Sequence, residues 1–346
     1  MSQPTSEALI PEAPILEVRD LRKHFAQRRG MLGALSRGAD AKVIPAIDGV
    51  SFSLHENETL GLVGESGCGK TTTGKAILKL HSVTGGTIRY RGTDITNQSQ
   101  AQFRPLRRDI QMIFQDLDAA LNPKVRIEDI LREAVLLREP DADKESVQRQ
   151  IYELMDLVNL KKNKLANFPS ELSGGEKRRI GIARVLAVRP KLIVADEPTS
   201  ALDVSIQAQV INLMRDLQAQ FGLSYLFISH DLQLVELMSH RVAVMYLGQI
   251  VEMGPAKDIA KSPKHPYTSI LWSSIVEKRS TETANHDSAP AWGVFDFERP
   301  RGGCRFAPRC PVYAERGKPA VCTDAANPPV LKEAGAGRVV ACHFPL

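Results

Sequence analysis

A glycine-rich run of eight residues, placed between an apolar segment and a helix-forming segment, limits the possible folds most strongly. The run consists of Gly64, Glu65, Ser66, Gly67, Cys68, Gly69, Lys70 and Thr71, and Thr72 follows it. Residues 58–63 are typical of a buried strand, and residues 72–80 are typical of a helix. A strand, a tight glycine loop and a helix N-terminus in this order present backbone N–H groups to phosphate oxygens. The sequence therefore predicts a nucleotide site of the P-loop type.

The residues of this loop have separate predicted tasks. The glycines permit the sharp turn, and Lys70 is expected to place its charge between the β- and γ-phosphates of ATP. The Thr71 hydroxyl is expected to ligate Mg²⁺. Cys68 is interpreted as a small loop residue, although its oxidation would obstruct phosphate binding.

A pair of acidic residues farther along the chain suits the same chemistry. Residues 192–195 are consecutive apolar residues, typical of a strand buried on both faces, and they lead into Asp196 and Glu197. Asp196 is predicted to hold Mg²⁺ through water, and Glu197 to orient and deprotonate the attacking water. Such a pair at a strand end is usually only solvated, but this chain also contains a P-loop.

Between these two segments, Leu172, Ser173, Gly174, Gly175 and Glu176 open a helix-like stretch. This pattern resembles the signature of ATP-binding-cassette (ABC) ATPases. In that family the signature closes on the γ-phosphate of ATP held by the opposite subunit, so the resemblance implies nucleotide contacts for Ser173, Gly174 and Gly175. The family usually has Gln where this chain has Glu176, a departure that could weaken the partner's site.

Further residues match motifs of the same family in the expected order. Gln115 follows a short apolar strand and resembles the glutamine that touches Mg²⁺ or the water and senses the membrane partner. Asp203 ends a segment that is similar to the D-loop, which crosses the dimer interface. His230 lies 33 residues after Glu197 and resembles the switch histidine that contacts the γ-phosphate. Phe25 aligns with the aromatic residue that stacks on adenine; the alternative interpretation is that Phe25 packs in the hydrophobic core.

The resemblance implies an α/β fold: a P-loop NTPase ABC cassette with an antiparallel β subdomain, a helical subdomain and a Cys-rich C-terminal extension. Alternating strand and helix patterns predict a mostly parallel core sheet. Strands are predicted at 15–25, 43–54 and 87–90, and helices at 127–137, 146–160 and 203–219.

We expect a disordered lead-in at 1–14, an ATPase domain at 15–254 and an extension at 255–346, with the helical subdomain at about 116–185. Residues 26–42 form an insert rich in Gly and Arg, a loop that is either functional or floppy.

Composition excludes several classes of protein. The chain has 346 residues, 43% of them hydrophobic and 25% charged, which is ordinary for a globular protein of about two domains. It contains no apolar run near the roughly 18–20 residues of a membrane-spanning helix, and its N-terminus lacks the order of a signal peptide. The net charge of +5 is modest and the basic clusters lack interleaved aromatics, so we expect no nucleic-acid partner.

The tail narrows the resemblance to one branch of the family. Residues 265–268 read His-Pro-Tyr-Thr and resemble the HPYT element of oligopeptide and dipeptide importer ATPases. Four cysteines follow in the pattern C-x5-C-x11-C-x19-C, and they are Cys304, Cys310, Cys322 and Cys342. Together with the early insert, this tail is similar to the F-type subunit of that branch.

The crowding of four of the five cysteines into the last 43 residues calls for an explanation. Disulfides are not expected in a cytosolic protein, and the spacing lacks the tight C-x2-C pairs common in structural zinc sites. Members of the branch with this pattern have been described as [4Fe–4S] proteins, so the resemblance implies such a cluster on these four cysteines. Zinc and free thiols remain alternatives.

The resemblance implies the ATP-hydrolysing subunit of an ABC importer for peptides or related small solutes. The expected partners are a second, D-type ATPase subunit, two transmembrane permease subunits and an extracytoplasmic solute-binding protein, at the cytoplasmic face of the inner membrane. Because other subunits select the cargo, nickel, glutathione and an opine are alternatives to peptides. A soluble ABC ATPase acting on nucleic acid or ribosomes is a further alternative, but its usual second cassette, coiled coils or zinc modules are not found in this sequence.

Overall fold

The strand patterns of the sequence assemble into two sheets. The computed structural model describes residues 13–26, 43–116, 120–281 and 302–346. Nearly all of the predicted lead-in at 1–14 and of the insert at 26–42 lies outside the described residues.

The larger sheet, counted over the described residues, has eight strands and carries the candidate site. In spatial order they are β11 (Lys332–Glu333), β12 (Val339–Val340), β10 (Gln249–Pro255), β9 (Arg241–Tyr246), β3 (Thr59–Val63), β8 (Ser224–Ile228), β7 (Leu192–Asp196) and β6 (Ile110–Ile113). The run from β9 to β6 is parallel, and the pairs that join β9, β10, β12 and β11 are antiparallel. Every residue of β3, β7 and β8 is buried, which explains why their sequences are mostly apolar.

The smaller sheet is antiparallel and covers one face of the larger one. Its strands within the described ranges, in the order β2–β1–β4–β5, are β1 (Leu16–Ala26), β2 (Val43–Leu54), β4 (Gly85–Tyr90) and β5 (Thr93–Asp94). Leu16, Val18 and Leu21 of β1 share one buried cluster with Leu60 and Leu62 of β3, so the two sheets enclose a common core. This arrangement confirms the predicted antiparallel β part of the fold.

Helices complete the architecture. The described helices are α1 (Lys70–Ile77), α2 (Gln100–Phe103), α3 (Ile127–Arg138), α4 (Lys144–Leu157), α5 (Gly174–Ala187), α6 (Val204–Phe221), α7 (Leu232–Met238), α8 (Ala256–Lys261), α9 (Pro266–Thr281) and α10 (Pro311–Glu315). Short 3₁₀ turns occupy Arg104–Arg107, Lys162–Ala166, Pro169–Glu171, Ala307–Arg309 and Ala320–Cys322. Helices α3, α4 and α5 pack on one another through apolar stripes, as the helical spacing of the sequence predicts.

The C-terminal segment is built into the core sheet. Strand β12 pairs with β10, where Val340 lies opposite Glu252. The Glu252 carboxylate is fully buried and pairs with Arg338 at 2.6 Å, and it also accepts the backbone N–H groups of Lys264 and His265 at 2.9 and 2.8 Å. A buried carboxylate with several donors is stabilised where it lies, so this group fixes the start of α9. The sequence patterns did not predict this strand pairing.

A search of the described ranges for membrane-crossing helices finds no candidate with the required length and apolarity.

We expect Ile151→Ala to destabilise the protein by about 2–5 kcal/mol, because Ile151 is completely buried where α4 packs on its neighbours. Chemical denaturation of the full-length chain measures this loss. Glu153→Ala on the exposed face of the same helix is the control and should change stability by no more than about 0.5 kcal/mol. Equal losses in the two variants would contradict the assigned packing.

Candidate functional site

The P-loop joins β3 to α1 and lies against two backbone segments. Gly64, Gly67 and Gly69 have φ angles of 151°, 78° and 113°. A Cβ atom at Gly64 would lie 2.1 Å from the Met245 carbonyl oxygen, and one at Gly69 would lie 2.3 Å from the Ala46 carbonyl oxygen. Only glycine fits this combination of positive φ and close approach, so these residues fix the shape of the loop.

Lys70 starts α1 and points back into the loop. The residue is 6% exposed, and its ammonium donates hydrogen bonds to the carbonyl oxygens of Gly64 at 2.7 Å and Glu65 at 3.0 Å. The Cys68 sulfur lies 3.8 Å from the same nitrogen, and burial raises the pKa of that thiol, so Cys68 is a neutral, packed loop residue. A buried cation inside a ring of backbone groups suits a phosphate anion.

The acid pair lies at the carboxyl end of β7, beside the start of α1. The Thr71 hydroxyl donates to the Asp196 carboxylate at 2.9 Å. Burial raises the pKa of Asp196; the Thr71 hydrogen bond acts against this effect, and the neighbouring Glu197 charge adds to it. A hydroxyl and two adjacent carboxylates that repel each other form an oxygen-rich position that suits a divalent cation such as Mg²⁺.

The three residues predicted to be catalytic converge on one another. The Glu197 carboxylate lies 3.0 Å from His230 Nδ1 and 3.4 Å from the Gln115 side-chain nitrogen. Glu197 has a φ of 47°, and its backbone N–H donates to the Ile228 carbonyl at 2.9 Å. A left-handed conformation in a residue other than glycine is typical of functional positions, and here it directs the carboxylate toward both side chains.

The signature segment forms a capped helix start. The Ser173 hydroxyl accepts the Glu176 backbone N–H at 3.3 Å, while the Glu176 carboxylate accepts the Ser173 N–H at 2.9 Å and pairs with Lys164 at 2.9 Å. These bonds, led by that of the Ser173 backbone, lower the pKa of Glu176, so the departure from the family pattern serves as a charged cap. Gly174 and Gly175 pack against Leu202 and Ile206, where a Cβ would lie 3.3 and 2.8 Å from the nearest side-chain atoms.

Two other candidates lie at edges of the structure. Asp203 is exposed and caps α6, where its carboxylate accepts the Ile206 N–H at 2.9 Å. Phe25, near the end of β1, is half-buried and meets the ring of His81 edge-on with centroids 5.7 Å apart. A half-buried ring at the surface is compatible with either of its two interpretations.

Arg178 lies in the basic run at 177–179, and the sequence patterns did not indicate a role for it. It is 4% exposed and donates to the backbone carbonyls of Phe114 at 2.9 Å, Gln115 at 3.3 Å and Ser200 at 3.4 Å. Burial lowers the pKa of this guanidinium. Arg178 therefore connects the signature helix α5 to the Phe114–Gln115 segment and to Ser200, which follows the acid pair. No local sequence pattern indicates this role.

The four tail cysteines line one small pocket together with His265, Phe306 and Phe344. None of the chain's cysteines, all of which are described, forms a disulfide. Burial raises the pKa of Cys304, of Cys322 and, to about 11, of Cys342. As placed, no three His, Cys, Asp or Glu side chains of the described residues are arranged to hold a metal ion.

Comparison with known proteins shows the family. Residues 47–200 match the family model described as ABC transporter, and residues 251–316 match the model described as Oligopeptide/dipeptide transporter, C-terminal region. The chain is 44% identical over 332 residues to the oligopeptide transport ATP-binding protein AppF of Bacillus subtilis, covering 95% of this chain and 97% of that protein.

Two further likenesses differ in extent. The glutathione import ATP-binding protein GsiA of Pectobacterium atrosepticum is 47% identical over 76% of this chain and 41% of its own length. The dimeric ATP-binding cassette MJ0796, solved with ADP and Pi, has a TM-score of 0.61 at 23% identity, covering 70% of this chain and 98% of that one. The latter shows the fold alone.

The chain therefore belongs to the ABC transporter family, as an ATP-binding protein of its oligopeptide and dipeptide transport branch. It is an ATPase with the P-loop NTPase fold predicted from its sequence.

We expect Arg178→Met to lower ATP turnover roughly tenfold and stability by about 1–3 kcal/mol, because it leaves buried carbonyls of the Gln115 segment without a donor. Turnover per folded chain is measured alongside denaturation. The matched control is Arg179→Met, since Arg179 donates to the Val158 carbonyl at 2.9 Å and to Gln209 at 2.8 Å, away from the acid pair. If both variants kept full turnover, Arg178 would be only a packing residue.

Proposed function

We propose that this chain is the ATP-hydrolysing subunit of an importer that takes up peptides. The observation that carries the proposal is the presence, in one chain, of the nucleotide cluster and of a tail that matches the oligopeptide/dipeptide transporter model. The likeness to AppF over nearly the whole chain supports it. In this proposal residues 15–254 form the ATPase domain, with the helical subdomain at about 116–185, and residues 255–346 form the extension.

The proposed hydrolysis follows from the geometry of the cluster. Lys70 exchanges its two carbonyl partners for oxygens of the β- and γ-phosphates, and the loop N–H groups bind the same phosphates. Glu197 accepts the proton of the attacking water, while His230 and Gln115 orient that carboxylate and the γ-phosphate. Mg²⁺, held by Thr71, Asp196 and Gln115, would neutralise phosphate charge.

A second ATPase subunit is proposed to complete each site. Ser173 and Gly174 are exposed at the start of α5, and Val204 beside Asp203 is 82% exposed. An exposed glycine at a helix start and an exposed apolar residue next to a capping side chain suit a protein interface that includes a nucleotide. Together with the F-type resemblance, this supports a D-type partner whose P-loop faces this signature.

The permeases are proposed to dock in a groove next to Gln115. Its lining combines the apolar side chains of Phe114, Leu121 and Leu137 with arginines at 104, 107, 108 and 184. Phe114 is 38% exposed and immediately precedes Gln115, so a partner seated there would sense the state of the site. Attachment of this kind would hold the chain at the cytoplasmic face of the membrane, with a solute-binding protein delivering cargo outside.

We expect Glu197→Gln to reduce ATP turnover by at least about a hundredfold and to trap the ATP-bound complex, because the proton acceptor is lost while the side-chain shape is kept. ATP hydrolysis and retained nucleotide are measured in the assembled transporter, with an inactive partner site. Glu153→Gln on exposed α4 is the control. Undiminished hydrolysis by Glu197→Gln would refute its role as base.

Uptake distinguishes the cargo classes. Cells that depend on this transporter should take up di- and oligopeptides, and the Glu197→Gln variant should not. Glutathione is the second candidate because GsiA, named for its import, is 47% identical to the matched region. Uptake of glutathione, nickel or an opine without peptide uptake would overturn the peptide assignment but leave the ATPase role intact.

The tail pocket is proposed to hold a [4Fe–4S] cluster on Cys304, Cys310, Cys322 and Cys342. The support is the donor set: four thiols line one pocket with aromatic walls, and the Phe344 N–H donates to the Cys342 sulfur at 3.4 Å, as N–H groups commonly do to cluster sulfurs. As placed, the thiols do not form a metal-binding group, so in this proposal they would have to move together when the cluster is assembled. The cluster would supply a rigid cross-link among the tail turns.

We expect anaerobically purified protein to contain about four iron and four sulfide per chain. Cys322→Ser should lose most of both, because it removes one of the four ligands, whereas Cys68→Ser in the P-loop should retain them. Iron and sulfide analysis measures this directly. One zinc per chain would contradict the cluster and support a zinc site, and protein without metal would support free thiols.

A further inference from the structure

The HPYT element and the cysteine-rich tail both contact the P-loop at Glu65. The Glu65 backbone N–H donates to the Tyr267 hydroxyl at 3.0 Å. The Glu65 carboxylate forms a two-point ion pair with Arg309 at 2.8 and 2.9 Å. Two independent contacts therefore connect the extension to one residue of the nucleotide loop.

Other parts of the fold fix the positions of Tyr267 and Arg309, the two side chains that contact Glu65. Tyr267 is 1% exposed, and its backbone N–H donates to His265 Nδ1 at 3.0 Å. The rings of Tyr246, Tyr267 and Phe306 pack with centroids 4.6 to 5.4 Å apart, which joins β9, α9 and the tail. Arg309 ends the 3₁₀ turn Ala307–Arg309, between Cys304 and Cys310. Pre-organised partners of this kind can hold a loop in one conformation.

Because Glu65 carries a negative charge, the position of its carboxylate affects how well the P-loop binds phosphate. Its carbonyl already accepts a hydrogen bond from Lys70, so the residue borders the phosphate position. Without Arg309, a free carboxylate here would repel phosphate and compete with it for Lys70. The bidentate pair with the Arg309 guanidinium, whose side chain is 20% exposed, holds that carboxylate in place and offsets its charge.

We propose that Arg309 and Tyr267 are positioning residues of the ATP site: they hold Glu65 so that the P-loop stays open to phosphate. The extension would thus be a structural part of the nucleotide site. This inference rests on ATP binding by the P-loop and is independent of the cargo and of any cluster in the tail.

The test measures the Kd of a fluorescent ATP analogue for the full-length chain. Arg309→Gln should weaken binding roughly five- to tenfold, the scale of one charge-assisted pair, and Tyr267→Phe roughly two- to fivefold. Adding Glu65→Gln to Arg309→Gln should restore most of the affinity, because no unpaired carboxylate then remains beside Lys70. In steady-state hydrolysis, KM for ATP should rise while kcat changes little.

Controls separate this role from general damage to the fold. Tyr225→Phe removes an equally buried hydroxyl that donates to the Met214 carbonyl at 3.3 Å, and it should leave the Kd unchanged. Unfolding midpoints without nucleotide identify misfolded variants, and Tyr267→Phe decides the outcome if Arg309→Gln does not fold.

The outcomes are distinct. If the unchanged chain binds the analogue and both Arg309→Gln and Tyr267→Phe bind it equally well, the positioning role is overturned. Weak binding by Arg309→Gln that Glu65→Gln does not rescue also overturns it, because the effect then does not act through this carboxylate. If the unchanged chain fails to bind the analogue, the ATP role of the P-loop itself fails.

Discussion

The close approach of the P-loop to its neighbouring backbone determines the geometry of the whole site. Gly64 lies against the Met245 carbonyl of β9, and Gly69 lies against the Ala46 carbonyl of β2, at distances that exclude any Cβ atom. The loop is therefore anchored to strands of both sheets. This anchoring fixes the first turn of α1, so Lys70 points into the loop and Thr71 reaches Asp196.

Two sets of contacts connect the nucleotide site to other parts of the chain. Arg178 ties the signature helix to the segments on either side of the acid pair through buried backbone carbonyls. Arg309 and Tyr267 tie the extension to Glu65. These contacts connect the helical segment and the tail directly to residues around the phosphate position.

Much of this architecture could be predicted from the sequence because its signals are local. Short, mostly apolar runs predicted the parallel strands, and apolar stripes predicted α3, α4 and α6. The motif spacing predicted Gln115, Glu197 and His230, which the fold brings together. The pairing of β12 with β10 and the contact of Arg309 with Glu65, 244 residues apart, leave no periodic trace. Such contacts depend on how segments pack, and a basic run in a sequence does not distinguish a buried arginine from a solvated one.

We propose that one chain builds the phosphate loop and the acid pair, whereas a second subunit supplies the signature that completes the site. The most direct measurement is the ATP hydrolysis rate per chain over a wide range of protein concentration, first for the isolated chain and then for the assembled transporter. The account predicts a low rate for the dilute chain that rises with association. A rate that is independent of concentration and equal to that of the assembled transporter would contradict it.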